Sequence, residues 1–397
     1  MLTLGIDTSC DDTSLALLDE GRVAISLSAN QDEFHARYGG IVPEISARKH
    51  LEMFLPMFDH LLLSAGIAVA DIDLVAATLG PGLIGGLLVG ATFANILAGT
   101  LQKPVVGIHH LEGHIFSAGL ESAPLPERYI ALIISGGHTR LFAVEGQFHY
   151  TELGATRDDA AGELIDKTGR LLGFPYPGGK VMDDAATSFP GDPVEFPRPL
   201  IKNEGYEFSF SGLKTAVLYY LRGIKGIGES SDKSMICGVP RTNRLRFARA
   251  SEAAEIAGKP EDGLIRATHP SETNECGSLD SPKAPAGAGL GAGAINTGAI
   301  SKGIMASLAD VLAAKSFRAC KNHGLSTLAV SGGVSASLFI RDVFMREGKR
   351  MGIDVRFPKM PYTTDNAAMI AAAAHARFHA GLVTGEPIDC KAAVGLR

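Results

Sequence analysis

The chain reads as an α/β protein made of two related lobes with a nucleotide cleft between them, and three observations predict it. A strand–turn–strand unit occurs twice, as LGIDTSCDDTSLALLDEG over residues 4–21 and LIISGGHTRLFAVEG over 132–146. In each, two apolar strands flank a turn of small and hydroxyl residues, and the second strand ends in acid-Gly. A strand–glycine turn–helix unit also occurs twice, as LVAATLGPGLIGG (74–86) and LAVSGGVSASLF (328–339), and a further strand follows each, VVGI at 105–108 and VRFP at 355–358. Finally, there are four turns of small residues: TSCDDTS (8–14), SGGHT (135–139), YPGG (176–179) and SGGVSAS (331–337). Turns without Cβ atoms let backbone N–H groups approach phosphate or ribose closely. With acids at Asp7, Asp166 and Asp183 they predict a nucleotide site, although none has the P-loop or dinucleotide form.

The expected division is a first lobe over 1–125 and a second over 126–397. With 397 residues, 46% of them hydrophobic, the chain is long enough for two substantial cores. Its formal net charge of -6 gives no global basic footprint, so any nucleic-acid surface must be local. Five scattered cysteines (Cys10, Cys237, Cys276, Cys320, Cys390) form no C-x-x-C pair. Neither a cysteine metal cage nor a disulfide framework is expected, and a reducing compartment is the natural reading. The start, MLTLGIDTSCDD, has neither a signal-peptide nor a transit-peptide character, so a cytoplasmic protein is expected, with no membrane association.

Taken in order, residues 51–62 carry an apolar stripe at helical spacing: Leu51, Phe54, Leu55, Phe58, Leu61 and Leu62. The stripe predicts a core-facing helix that Pro56 should kink or break. The uncharged run Leu74 to Gln102 imitates a membrane span, but Pro81, its glycines and Asn95 favour a strand, a glycine turn and a buried helix. Residues 158–179 read as a helix ended by Gly173 and followed by a Pro-Gly turn. Residues 223–298, rich in Gly, Ala and Pro without period, read as a flexible insertion whose Arg241, Arg244, Arg246 and Arg249 form a solvated basic run.

VVGIHHLEGH (105–114) then reads as a buried strand entering a helix. His110 and His114 are four residues apart, so both imidazoles share one helix face and can supply two metal ligands. The pattern is not the zinc-protease H-E-x-x-H. Glu112 lies about 160° to 200° around the helix from both histidines and points away from any metal they hold. Two ligands do not make a site. If the halves are duplicated and face each other, the loop KMPYTTDNAAMI occupies the place equivalent to the histidine loop and delivers Asp365 as the third ligand. The alternative role for Asp365 is a helix N-cap, and the internal symmetry favours the ligand. This architecture is that of RNase H-like lobes of the actin/Hsp70/sugar-kinase (ASKHA) type.

In their order, the stretches GIDTSCDDTS, GPGLIGGLLVG, HHLEGH, SGGHT, DDAAGELIDK, YPGG, FSFSGLKTA, SGGVSAS and TTDNAAM resemble the tRNA N6-adenosine threonylcarbamoyltransferases, the TsaD family once described as glycoprotein endopeptidases. The resemblance spans nearly the whole chain outside the insertion. It implies an acyltransferase that moves the threonylcarbamoyl group of threonylcarbamoyl-AMP to N6 of adenosine 37 in tRNAs reading codons that begin with A. It also implies one divalent metal per subunit, Fe2+ first and Zn2+ as the alternative, held by His110, His114 and Asp365. Adenylate contacts carry over to Ile133, Ile134, Ser135, Gly136, Gly137, Asp166, Gly179, Asp183 and Ser337. No catalytic general base is implied, and His138 is a candidate by proximity only. The implied partners are tRNA, a paralogous non-catalytic protein (TsaB-like) and a small P-loop ATPase (TsaE-like).

The chain departs from the family pattern at Ser337, where asparagine is usual, at Lys180, where proline usually follows YPGG, and in the length of the insertion. Two other function classes share the fold. A kinase or ATPase would leave the histidine pair without a role, and a non-catalytic scaffold would be expected to have lost the metal ligands.

Overall fold

The computed structural model describes residues 1–146, 148–224, 296–383 and 385–396. The expected insertion and its arginine run lie almost wholly outside these. Alternating apolar runs and glycine turns build two five-stranded mixed sheets. The first contains β1 (Leu2–Asp7), β2 (Thr13–Asp19), β3 (Arg22–Ala29), β4 (Leu74–Gly80) and β5 (Val105–His109), in the order β3-β2-β1-β4-β5. The second contains β6 (Arg128–Ile134), β7 (Thr139–Glu145), β8 (His149–Ala155), β9 (Thr327–Ser331) and β10 (Asp354–Arg356), in the order β10-β9-β6-β7-β8. In both, three antiparallel strands are extended by two parallel ones. The orders are the same when one is read backwards, so the repeat seen in the sequence is a repeat of topology.

Helices α1 (Asp32–Ala36), α2 (Pro43–Ala65) and α3 (Ile84–Leu101) belong to the first half, which ends in α4 (His110–Ser117). The second half has α5 (Ala161–Leu172), α6 (Gly179–Ser188), α7 (Ser211–Ile224), α8 (Thr297–His323) and α9 (Leu338–Met351), and ends in α10 (Ala367–His379). One face of the first sheet packs Leu4, Ile6, Leu15 and Leu17 against Phe54, Phe58 and Leu61 of α2 and Ala94 of α3. One face of the second packs Ile130, Leu132 and Ile134 against Leu164, Ile304, Leu308 and Phe344.

The opposite faces are covered by exchange. Helix α4, from the first half, buries Leu111 and Ile115 against Ala131, Ile133 and Phe142 of the second sheet. Helix α10, from the second half, buries Ala367, Ala368 and Ala371 against Ala16 and Leu18, and Met369, Ile370 and Ala373 against Leu74, Ala76 and Ile108 of the first. The alanines allow close approach: a Cβ on Gly5 of β1 would collide with the Ala367 carbonyl. Each sheet is thus closed by the other half's last helix.

Two expectations about the helices need correction. Pro56 does not break α2, which runs on from Pro43 to Ala65. Pro56 and Glu52, whose carbonyl loses its partner four residues on, both lie on the exposed side, where water satisfies the carbonyl. The stripe is also narrower than expected: Phe54, Phe58 and Leu61 are buried, but Leu51 and Leu55 are 64% and 59% exposed. Among the described residues, α3 alone is long and apolar enough to cross a membrane. It packs Phe93 on the rings of Phe54 and Phe58, with centroids 4.4 and 5.0 Å away, while Ile84, Leu88 and Ile96 stay exposed. It is a half-buried helix where a buried one was expected.

Candidate functional site

The two exchanged helices begin side by side, and their first residues build the site. At the end of β5, His109 caps α4: its Nδ1 accepts from Leu111 N at 3.2 Å and its Nε2 donates to Val394 O at 3.1 Å. Burial lowers its pKa to about 4 and keeps it neutral. His110 and His114 then face inward one turn apart, both buried. Across from them Asn366 caps α10, accepting from Met369 N at 2.9 Å. The cap is therefore filled by the neighbour of Asp365, whose carboxylate turns to α4 with Oδ1 3.2 Å from His114 Nε2 and 3.6 Å from His110 Nε2.

These three residues fit a divalent cation. Their ligand atoms lie within 4.8 Å of one another. Ligands about 2.1 Å from a tetrahedral ion are about 3.4 Å apart, between the two separations observed. Both ring nitrogens of His114 are buried without a hydrogen-bond partner, an arrangement that costs free energy unless an ion takes one of them. Burial alone would raise the Asp365 carboxyl; the facing His110 and His114 imidazoles outweigh it and hold the group below its ordinary range.

Behind the triad stands a second layer: Asp7, expected among the acids of the nucleotide site, lies here instead, with Ser9 beside it. His110 Nδ1 is 3.2 Å from Ser9 Oγ and 3.9 Å from Asp7 Oδ2. Asp7 Oδ1 accepts from Thr78 Oγ1 at 2.8 Å, whereas Oδ2 is buried with no hydrogen-bond partner. Desolvation raises the Asp7 carboxyl, with His110 opposing it. At 3.9 Å the carboxylate acts on the imidazole through its charge, while Ser9 Oγ is the group within hydrogen-bond distance of Nδ1. Glu112, as its helical angle predicts, points away. Arg377 Nε and a terminal guanidinium nitrogen donate to its two oxygens at 2.9 and 3.1 Å, and Tyr150 donates at 3.0 Å. Glu112 therefore clamps α4 to α10 and to β8, and activates nothing at the triad. His138 has its ring 6.1 Å from that of His110. Desolvation, with the neighbouring histidines, pushes it down to about 3, which makes it a weak base.

A cavity of about 370 Å³, reached from the triad through the SGGHT turn that holds both Gly136 and His138, is lined by Gly136, Asp166, Gly179, Asp183 and Ser337, five of the nine residues expected at the adenylate. Ser135 closes the SGGHT turn, its N donating to His138 O at 2.8 Å and its Oγ accepting from His138 N at 3.1 Å. Ile133 and Ile134 end β6 with their side chains in the two opposite cores and their main chain paired to β7, and at Ile133 also to β9, so they hold the base of the turn. Gly137 lies in the turn and not on the cavity wall. Asp166 Oδ1 accepts from Gly178 N at 2.8 Å, tying the YPGG turn to α5, and burial raises its carboxyl.

Asp183 is committed to α9: Ser337 Oγ donates to it, as do Leu338 N at 2.9 Å and Phe339 N at 3.2 Å. Ser337 in turn accepts from Ile340 N at 3.1 Å as the α9 cap. The hydroxyl that replaces the usual amide is used in that cap. Lys180, the other departure, is exposed on the rim, 3.4 Å from Asp184. The apolar lining of Ile165, Met305 and Met360 went unread, since nothing local marks Met305 or Met360. Gly162 had a signal in DDAAGELIDK. A Cβ there would come within 2.8 Å of Ser135 O and Gly136 Cα, so only glycine lets α5 support the turn.

Two lobes of one topology, exchanged helices and a site where those helices start define an actin/Hsp70/sugar-kinase-type protein. In agreement, T. kodakarensis HypF matches 98% of this chain with TM-score 0.54 at 13% identity, over 49% of its own length. The sequence narrows the class. The family described as "TsaD: tRNA N6-adenosine threonylcarbamoyltransferase" matches residues 22–372. Proteins of that name from Burkholderia thailandensis and Burkholderia vietnamiensis are 38% and 40% identical, each match covering 95% of this chain and 92% of the relative. The chain belongs to the tRNA N6-adenosine threonylcarbamoyltransferase family.

Proposed function

We propose that the chain transfers the threonylcarbamoyl group of threonylcarbamoyl-AMP to N6 of adenosine 37 in tRNAs that read codons beginning with A. The observation that carries this reading is the convergence of His110, His114 and Asp365, supported by a separate cavity of nucleotide size walled by Gly136, Asp166 and Gly179. In the transfer the N6–carbonyl bond forms, the carbonyl–oxygen bond to phosphate breaks, AMP leaves and N6 loses a proton.

His110, His114 and Asp365 would hold one divalent cation, iron first and zinc as the alternative, since imidazole and carboxylate suit both. Bound there, it supplies Lewis-acid polarisation of a carbonyl or phosphoryl oxygen. The SGGHT and YPGG turns offer backbone N–H groups to the adenylate at Gly136 and Gly179, while Gly137 extends the first turn and Ser135, Ile133 and Ile134 hold its base. Asp166 keeps one oxygen free for a ribose hydroxyl. Asp183, occupied by the α9 terminus, sets the wall that Ser337 and Leu338 present.

A paralogous partner and a small P-loop ATPase complete the reaction in the cytoplasm. The exposed Ile84, Leu88 and Ile96 of α3 are suited to contact with a protein. The reading is tested by incubating the protein with threonylcarbamoyl-AMP, unmodified tRNA and the partner proteins, then weighing the nucleosides of the digested RNA. Threonylcarbamoyladenosine is expected from the unaltered chain and not from His110→Ala; its absence from both overturns the reading.

A further inference from the structure

The chain is acidic overall, yet residues 315–359 contain nine lysines and arginines against three acids, an excess confined to α8, α9 and the strands beside them. Several of these cations serve the fold. Lys315 is buried and donates to Gly205 O at 2.9 Å, Arg341 reaches the Ser335 and Pro358 carbonyls, and Arg356 reaches those of Ala123 and Pro124. Lys321, Arg346, Lys349 and Arg350 are different. All four are exposed.

Lys321, Arg346 and Arg350, with Arg318, line a groove of about 480 Å³ between α8 and α9, and Lys349 stands beside Arg346 at its outer edge. Among the described residues Lys321 and Lys349 have no ion pair. Arg346 and Arg350 meet only Asp342 and Glu347 of their own helix, surface pairs worth at most about 1 kcal/mol that a phosphate can displace. The one other acid on the groove, Asp310, is taken by Arg198 Nε at 2.6 Å. The groove is therefore a net positive surface in an acidic protein.

Its position is tied to the site. Helix α9 starts at the cavity wall, where Ser337 and Leu338 line the cavity, and its 14 residues run about 20 Å to Met351. Arg346, Lys349 and Arg350 lie in its last turns, roughly 12–20 Å from that wall, and Lys321 faces them from α8 across the groove. The basic stretch ends at Lys359, beside Met360 of the cavity and six residues before Asp365. A polyanion with one base held at the site has backbone phosphates within this range.

We propose, resting on the transferase reading, that the α8–α9 groove carries backbone phosphates of the tRNA through Lys321, Arg346, Lys349 and Arg350, whatever the sequence of the bound stem. Phosphate contacts give affinity that falls with salt, by roughly 0.7–0.9 in log K per contact for each decade of salt.

The test compares the full chain with the fourfold variant Lys321→Ala, Arg346→Ala, Lys349→Ala and Arg350→Ala, both with the partner proteins. Binding of unmodified tRNA is titrated from about 0.05 to 0.3 M salt, and AMP binding to the cavity is measured in parallel. The expected result is a tenfold or greater loss of tRNA affinity at low salt, a salt slope lower by two to four, and unchanged AMP affinity. Unchanged tRNA affinity and slope would overturn the proposal while leaving the transferase reading intact. Loss of partner assembly with unaltered tRNA binding would overturn it in favour of a protein-binding groove. Failure of the unaltered chain to bind any tRNA would bring down both readings together.

Discussion

The two lobes share a topology and differ most at the tips of their first hairpins. The tip after β1 is acidic and well filled: Asp7, Asp11 and Asp12 lie there with Ser9 and Cys10. A buried His50 braces it, its Nδ1 2.8 Å from Thr13 Oγ1 and its Nε2 3.1 Å from Cys10 O. The tip after β6 is Ser135–Gly136–Gly137–His138, with nothing within 4 Å of where a Cβ on either glycine would sit. On the proposed reading, the first tip puts carboxylates behind and beside a cation site, and the second leaves space for the adenylate. The comparison teaches that duplication supplied two equivalent places, and that side-chain volume and charge then divided the chemistry between them.

The comparison breaks most visibly if the exchanged helices lose their ligands. His114→Ala or Asp365→Ala should abolish stoichiometric metal, read by elemental analysis, and lower transfer by more than 100-fold, since two ligands remain where three are required. Chelation should lower the melting temperature of the unaltered protein and not that of either variant.

Next in size is the clamp. Glu112→Ala leaves the Arg377 guanidinium without its partner and should cost about 3–5 kcal/mol in urea unfolding, with Glu112→Gln costing less. A loss below 1 kcal/mol would show that α4 and α10 hold together without it.

Asp7→Asn sharpens the first tip alone. It should weaken metal affinity by roughly 10- to 100-fold in chelator competition, with AMP binding unchanged. Gly162→Ala does the converse, displacing the SGGHT turn and weakening AMP binding about tenfold while metal content stays intact, at a stability cost of about 1–3 kcal/mol.

The smallest effect concerns pH. Desolvation, then Asp365 and Asp11, raise the Asp12 carboxyl from its ordinary 3.8 to about 8. A raised pKa means the folded state binds the proton more tightly, so in metal-free protein this stability is present below about 4 and lost as pH rises through about 8. Asp12→Asn should remove that slope, shifting the melting temperature at pH 9 upward by about 2–4 °C for each kcal/mol recovered. A slope that persists would place its origin in another group of the tip.

Much of this was legible along the chain because it depends on residues two to four apart. Apolar strands flanking turns of small residues announced both hairpins, the i, i+4 spacing put His110 and His114 on one face, and the same geometry turned Glu112 away. Gly173, with φ 83°, ends α5 as expected. Asp365 was reached only through the symmetry of the two halves, since Asp-Asn before a helix does not say which residue caps. What the chain order leaves open is which helix covers which sheet. The exchange of α4 and α10 follows from apolar faces that match across the lobes, and it alone brings residue 365 to residues 110 and 114. The same holds for Asp7 behind His110, and for Asp183 capping a helix 154 positions later. Exposure of Leu51 and Leu55 also follows from what packs nearby and not from their spacing. Local periodicity is written in neighbours; the pairing of distant surfaces is set only when their buried areas and polar partners are satisfied together.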